Sequence, residues 1–172
     1  MNKLRGSRLS ARQLLGVGGA IILLTVALGL SRPGLSLPVP TPTGLVIKAS
    51  PHSVVETERR FVSILEEEGL NVFAVVDHAQ NAEGAGLGLR PTRVMIFGNP
   101  QLGTPLMQCE QSVAIDLPQK MLIWEDEQGQ VQIAYNDPRY LGGRHRLGDC
   151  GNQVIQQIAG ALDNLSSGAI AP

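Results

Sequence analysis

The spacing of apolar residues changes several times along this chain, and each change marks a predicted element. Gly44-Leu45-Val46-Ile47-Lys48-Ala49 reads as a short strand. Ser53-Val54-Val55-Glu56 has the form of a capping box, and Val54, Thr57, Phe61, Ile64 and Leu65 then recur at helical spacing until Gly69 ends the helix. Residues 70–78 are apolar, β-branched and too few for another helix, so they predict a mostly buried strand. Residues 79–90 are rich in Ala and Gly and read as a loop. A third strand, 93–97, runs directly into Asn99-Pro100, a preferred cap followed by a residue pre-organised for the first helical position. That helix is expected to reach about Ser112, with Leu102, Leu106, Cys109 and Val113 inward. Strands at 120–125 and 131–135 flank a five-residue turn, 126–130, and predict a β-hairpin. Asp137-Pro138 caps a short helix reaching about Arg144. Asp149 or Asn152 caps the last helix, whose stripe is Val154, Ile155, Ile158, Ala161, Leu162 and Leu165.

The predicted order is therefore β-α-β-β-α-β-β-α-α, with no internal repeat. A hairpin demands antiparallel pairing, and helices must then bury one face of the sheet. The fold class is α+β: a mainly antiparallel sheet of about five strands with helices on one face, preceded by an N-terminal apolar helix.

Charge separates the N-terminus from this domain. Lys3, Arg5, Arg8, Arg12 and Arg32 are the only charged residues before Lys48, whereas from residue 43 onward 9 Lys and Arg face 15 Asp and Glu. A domain this acidic has no electrostatic footprint for nucleic acid. Residues 14–30 run without a charge behind a basic segment, which predicts export of the downstream domain. The length suits either an uncleaved anchor or a cleaved signal with a small-x-small site at Ala27-Leu28-Gly29. Residues 31–43 hold four prolines and read as an extended tether. The expected organisation is a signal or anchor at 1–30, a linker at 31–43 and one domain at 44–168, membrane-anchored or secreted on the extracytoplasmic side.

Candidate chemistry is sparse. A strand feeding a helix start collects backbone N–H groups, so Asn99, Gly103 and Thr104, joined by His78 if it turns that way, form a candidate pocket for a small polar or anionic ligand. The commoner reading leaves Asn99 as a cap and His78 bonded to a backbone carbonyl. Cys109 and Cys150 are the only cysteines, and an even count in an exported domain favours a disulfide; the alternative is a buried Cys109 and a free Cys150. His52, His78 and His145 are scattered, so no metal or haem site is expected. No nucleophile signature and no phosphate-loop Lys-Ser/Thr occur. No cofactor is implied.

Three groups of residues resemble one family. They are Val76-Asp77-His78-Ala79, Leu89-Arg90-Pro91-Thr92-Arg93-Val94, and Phe97-Gly98-Asn99-Pro100 continuing through Gly103-Thr104-Pro105-Leu106-Met107. Asp116-Leu117-Pro118, Lys120 and Tyr135-Asn136 with Pro138 and Tyr140-Leu141 continue the pattern. The chain thus resembles the family catalogued as domain of unknown function 302. The resemblance implies a TATA-binding-protein-like α+β fold and dimerisation, and carries no established activity. Cys109 and Cys150 depart from the family pattern. The expectation is a ligand-binding or interaction module acting as a homodimer without chemistry of its own. The alternative is an enzyme using a polar pocket centred on His78 and the Asn99 helix start.

Overall fold

A computed structural model describes residues 43–172. The predicted anchor or signal, and the tether up to Pro42, lie outside the described residues. Five strands form one antiparallel sheet: β1 (Leu45–Ser50), β2 (Asn71–Asp77), β3 (Thr92–Gly98), β4 (Gln119–Glu125) and β5 (Val131–Asn136), in the spatial order β1-β5-β4-β3-β2. The helices are α1 (Val54–Glu67), α2 (His78–Gly84), α3 (Pro100–Cys109), α4 (Pro138–Arg144) and α5 (Gly148–Ala169).

Alternation along the strands explains the layers. Met95 and Phe97, Met121 and Ile123, and Ile133 and Tyr135 all point toward the helices and are buried. Phe61 and Leu65 of α1 and Ile155, Ile158, Leu162 and Leu165 of α5 close the core over them. Phe61 meets Phe97 edge-on, with ring centroids 5.2 Å apart. The opposite face carries a row that crosses all five strands in register: Ile47, Ala134, Leu122, Val94 and Val76.

Several caps are formed as the spacing predicts. The Ser53 hydroxyl accepts from the Glu56 N–H. The Glu56 carboxylate pairs with Arg59 instead of reaching back, so only half of the capping box is made. Gly69 ends α1 at φ +65°. At the start of the sheet Gly44, at φ +77°, lies against the Tyr140 ring where any Cβ would collide.

Four expectations change. The 70–78 segment is an edge strand, not a mostly buried one: Val72, Phe73 and Val75 are 37%, 54% and 45% exposed. Strand order decides this, and the register also breaks between Val72 and Ala74, a bulge at Phe73. Asp77 caps a short helix inside the predicted loop, accepting from the Gln80 N–H, and that hydrogen bond holds its carboxyl below the usual range. The 100–112 helix ends at Cys109, because Glu110 is extended and its carboxylate caps a separate 3-10 turn, Gln111–Ile115. Neither Asp149 nor Asn152 caps α5, which starts at Gly148 without a side-chain cap.

Polar groups pin the layers together. Lys48 on β1 donates to the Asp163 carboxylate at 2.7 Å and to the Ser166 and Ser167 hydroxyls at 2.8 Å on α5. Tyr135 lies beside them, hydrogen-bonded to Ser166, and burial pushes its hydroxyl up to about 12, with Asp163 adding to the shift. Its folded pKa exceeds the unfolded one, so the folded state keeps this proton while the unfolded chain releases it. Stability is then fully present below about pH 10 and falls between pH 10 and 12 by up to about 1.4 kcal/mol per pH unit. Urea unfolding across that range is expected to show the loss in the natural chain and a shallower one in Tyr135→Phe.

Candidate functional site

The Asn99-Pro100 corner is where β3 passes into α3. Asn99 is extended and its side-chain oxygen accepts from the Gln101 N–H at 2.8 Å. The Asn99 carbonyl accepts from Leu102 and Gly103 at 3.0 and 3.1 Å. Pro100 has no N–H to offer. Every amide donor of the first helical turn is therefore satisfied within the chain, and the corner presents no anion cradle.

What the corner does form is one side of a cavity of about 270 Å³. The sheet contributes Phe97, Gly98 and Gln119, and α3 contributes Leu102, Gly103, Thr104 and Met107. Ile158, Ala161, Leu162 and Leu165 of α5 close the far wall, and Leu70, Phe73, Ala114, Leu117 and Pro118 complete the lining. No titratable side chain is among them; Asn99, Thr104 and Gln119 are the only polar ones. Such a wall favours an uncharged apolar occupant, since a charge there would lose its hydration without a partner. The volume lies just under the range of about 300–1,000 Å³ usual for drug-sized ligands.

Three of the four residues singled out from the sequence, Asn99, Gly103 and Thr104, line this cavity together. His78 does not join them. Asp77 pairs with Arg93 and Asn71 with Gly98, so His78 sits at the opposite end of the sheet from Asn99. The strand rise makes the separation roughly 20 Å. Cys109 and Cys150 are bonded, with Cα atoms 5.9 Å apart. The bond ties the end of α3 to the start of α5, the two helices that wall the cavity.

One polar constellation was not visible in the sequence. The His145 Nε2 lies 2.6 Å from the Asp116 carboxylate, and its Nδ1 lies 3.4 Å from the Ser112 hydroxyl. Arg144 adds a second contact to Asp116 at 3.2 Å. The residue types match a nucleophilic triad, but the surroundings do not. The Ser112 N–H and hydroxyl both hydrogen-bond Glu110, whose carboxylate they hold below its usual range. An oxyanion forming at Ser112 would face that carboxylate rather than a donor, the reverse of what acyl transfer needs. The group acts as a clasp between the 3-10 turn and the end of α4. Only the fold reveals it, because 33 residues separate Ser112 from His145. Among the described residues no cluster of three metal-ligating side chains occurs.

A sequence model of the family described as "Domain of unknown function DUF302" matches residues 46–165. The chain is 50% identical over 116 residues to a protein of Brucella suis biovar 1 (strain 1330) named fluoride-specific ion channel FluC 1, covering 67% of this chain and 46% of that protein. A protein of Brucella abortus biovar 1 (strain 9-941) with the same name matches at 50% identity over 116 residues and 43% of its length. The chain thus spans less than half the length of the curated relatives it matches. The crystal structure of an uncharacterized conserved DUF302 protein from Bacillus stearothermophilus superimposes with a TM-score of 0.59 at 20% identity, over 74% of this chain and 95% of that one. At that identity the likeness shows the fold alone.

Proposed function

Because the chain belongs to the DUF302 family, whose name assigns no activity, we propose from the site itself that it is a binding module for a small uncharged apolar ligand, without chemistry of its own. One observation carries this reading: the cavity at the Asn99 corner has no titratable lining residue, and the helix start beside it has no free amide. General acid-base chemistry needs a proton-transferring group within reach of the substrate, and the wall supplies none. This replaces the polar or anionic ligand expected from the sequence, and it argues against the enzyme centred on His78.

The reading extends to context. The basic and apolar N-terminal segment supports a domain held at a membrane on the extracytoplasmic side. The apolar row on the open sheet face supports a homodimer packed sheet to sheet. A match of 116 residues exceeds the 42 outside the described part, so the stretch shared with the Brucella proteins includes much of the α+β domain. Among the described residues no helix is long and apolar enough to cross a membrane. In this reading the channel named in those relatives resides in their unmatched half, and the domain serves beside it.

Native mass spectrometry of the full chain purified from its own cell tests the proposal. The expected result is a neutral organic adduct, at one per chain, that Ala161→Leu removes. A bound metal or phosphate, or an adduct unaffected by that substitution, would overturn it.

A further inference from the structure

The cavity at the Asn99 corner is apolar in depth and polar at its opening. Phe97, Ile158, Leu162 and Leu165 of its wall are buried. Asn99 and Gln119 are half-buried, and Thr104 is exposed. Gln119 stands opposite Phe97 in the β3–β4 register, and Asn99 follows just beyond Phe97. Both amides therefore sit at the end of the sheet from which α3 starts.

These three side chains have hydrogen-bonding atoms to spare. The Asn99 oxygen is spent on the Gln101 N–H, which fixes how the amide is turned and leaves its NH2 as the remaining polar group. Among the described residues, neither that NH2 nor the Thr104 hydroxyl nor the Gln119 side-chain amide bonds to another group of the chain. No side-chain nitrogen or oxygen is both buried and unpartnered, so these atoms are accessible at the opening. Donor hydrogens outnumber the oxygens free to accept: both amides and the hydroxyl donate, whereas only Thr104 and Gln119 still accept.

An opening of this kind suits a head that brings lone pairs and no proton of its own. A carboxylate brings lone pairs but also a charge, and no lining side chain carries the opposite one. An ammonium brings only donors. A carbonyl is neutral, and its oxygen accepts from two donors at once.

Resting on the ligand-pocket reading above, we propose that the ligand is a small neutral carbonyl compound, a ketone or ester with one aliphatic tail, and that Asn99 recognises its carbonyl. The tail lies on Phe97, Ile158 and Leu162. The carbonyl oxygen accepts from the Asn99 NH2 at the opening. The cavity has room for roughly nine water-sized units, which matches a ketone of about eight carbons. Asn99 then has two uses: its oxygen caps α3, and its nitrogen, turned away from the helix by that cap, reads the ligand.

The test is calorimetric titration of the full chain with 2-octanone and with 2-methyl-1-octene, in which an isosteric CH2 replaces the carbonyl oxygen, each below its solubility limit. Both are expected to bind the natural chain. Asn99→Asp keeps the cap, because Asp caps a helix as well as Asn does, and exchanges the donor for a second oxygen. It is expected to weaken the ketone at least about threefold more than the alkene, the share of one neutral hydrogen bond; the comparison cancels what the new charge does to both ligands. Nuclear magnetic resonance of the natural chain gives a reading that needs no variant. The Asn99 side-chain NH2 signals are expected to move with the ketone and to hold with the alkene. Equal weakening of the two ligands, or Asn99 NH2 signals that respond alike to both, would overturn this inference and leave the pocket reading intact. No binding of either ligand would overturn both.

Discussion

Replacing Cys109 and Cys150 together by alanine is expected to lower stability by about 2–4 kcal/mol, and the melting temperature by roughly 10 °C. The bond closes a loop across 41 positions, for which the chain-entropy account gives a ceiling of about 4 kcal/mol. The effect has a functional side. Leu102 and Met107 of α3 and Ala161 and Leu165 of α5 face one another across the cavity, and the bond fixes the ends of these two helices. Weaker ligand binding should accompany the lost stability. Urea unfolding of the oxidised chain and the double variant measures the first, and titration with octanol the second. An unchanged midpoint would mean that packing alone holds α3 against α5.

Phe61→Ala is expected to cost about 3–5 kcal/mol, the largest effect of any single substitution considered. Phe61 is fully buried, and its ring abuts Phe97, which also lines the cavity. Truncation removes both the burial and the edge-to-face contact, and leaves a void next to the existing cavity. The variant should therefore unfold at lower urea and accept bulkier apolar probes when folded. Val55→Ala on the same helix is the comparison. Val55 is 61% exposed, and its loss should move stability by no more than about 0.5 kcal/mol.

Much of the architecture was legible because it rests on local chemistry. The Asn99-Pro100 and Asp137-Pro138 starts, the Ser53 cap and the Gly69 stop depend on side chains within three residues of the backbone they serve. The hairpin turn at 126–130 is similarly local, since the Asp126 carboxylate accepts from the Gln128 and Gln130 N–H groups. Strand order is not local. Val72, Phe73 and Val75 have the composition of a buried strand, and only their position at the edge of the sheet exposes them. The cavity was hidden for a related reason. Leu102, Met107, Ile158 and Leu165 have the same spacing whether they meet other side chains or an open space. The helix start at Asn99 was located correctly, but its donors are consumed by Asn99 itself.

His78 shows the opposite error. From sequence it joins the Asn99 corner on the condition that it turn that way, yet the strand register puts it at the far end of the sheet, at the start of α2 behind Asp77, which caps that helix and pairs with Arg93. The polar groups that do meet, Ser112, His145 and Asp116, come from the 3-10 turn, the end of α4 and the loop before β4. Their role is to hold the segment that supplies Ala114, Leu117 and Pro118 to the cavity wall.

The central claim is that the Asn99 corner holds an apolar molecule and not an anion. Methyl and amide nuclear magnetic resonance of the full chain, titrated in parallel with octanol and with inorganic phosphate, tests it most directly. Octanol is expected to shift the methyl signals of Leu102, Met107, Ala161 and Leu165, and phosphate to leave the Gln101, Leu102 and Gly103 amides unmoved. Saturable amide shifts with phosphate, with those methyls silent toward octanol, would contradict the account.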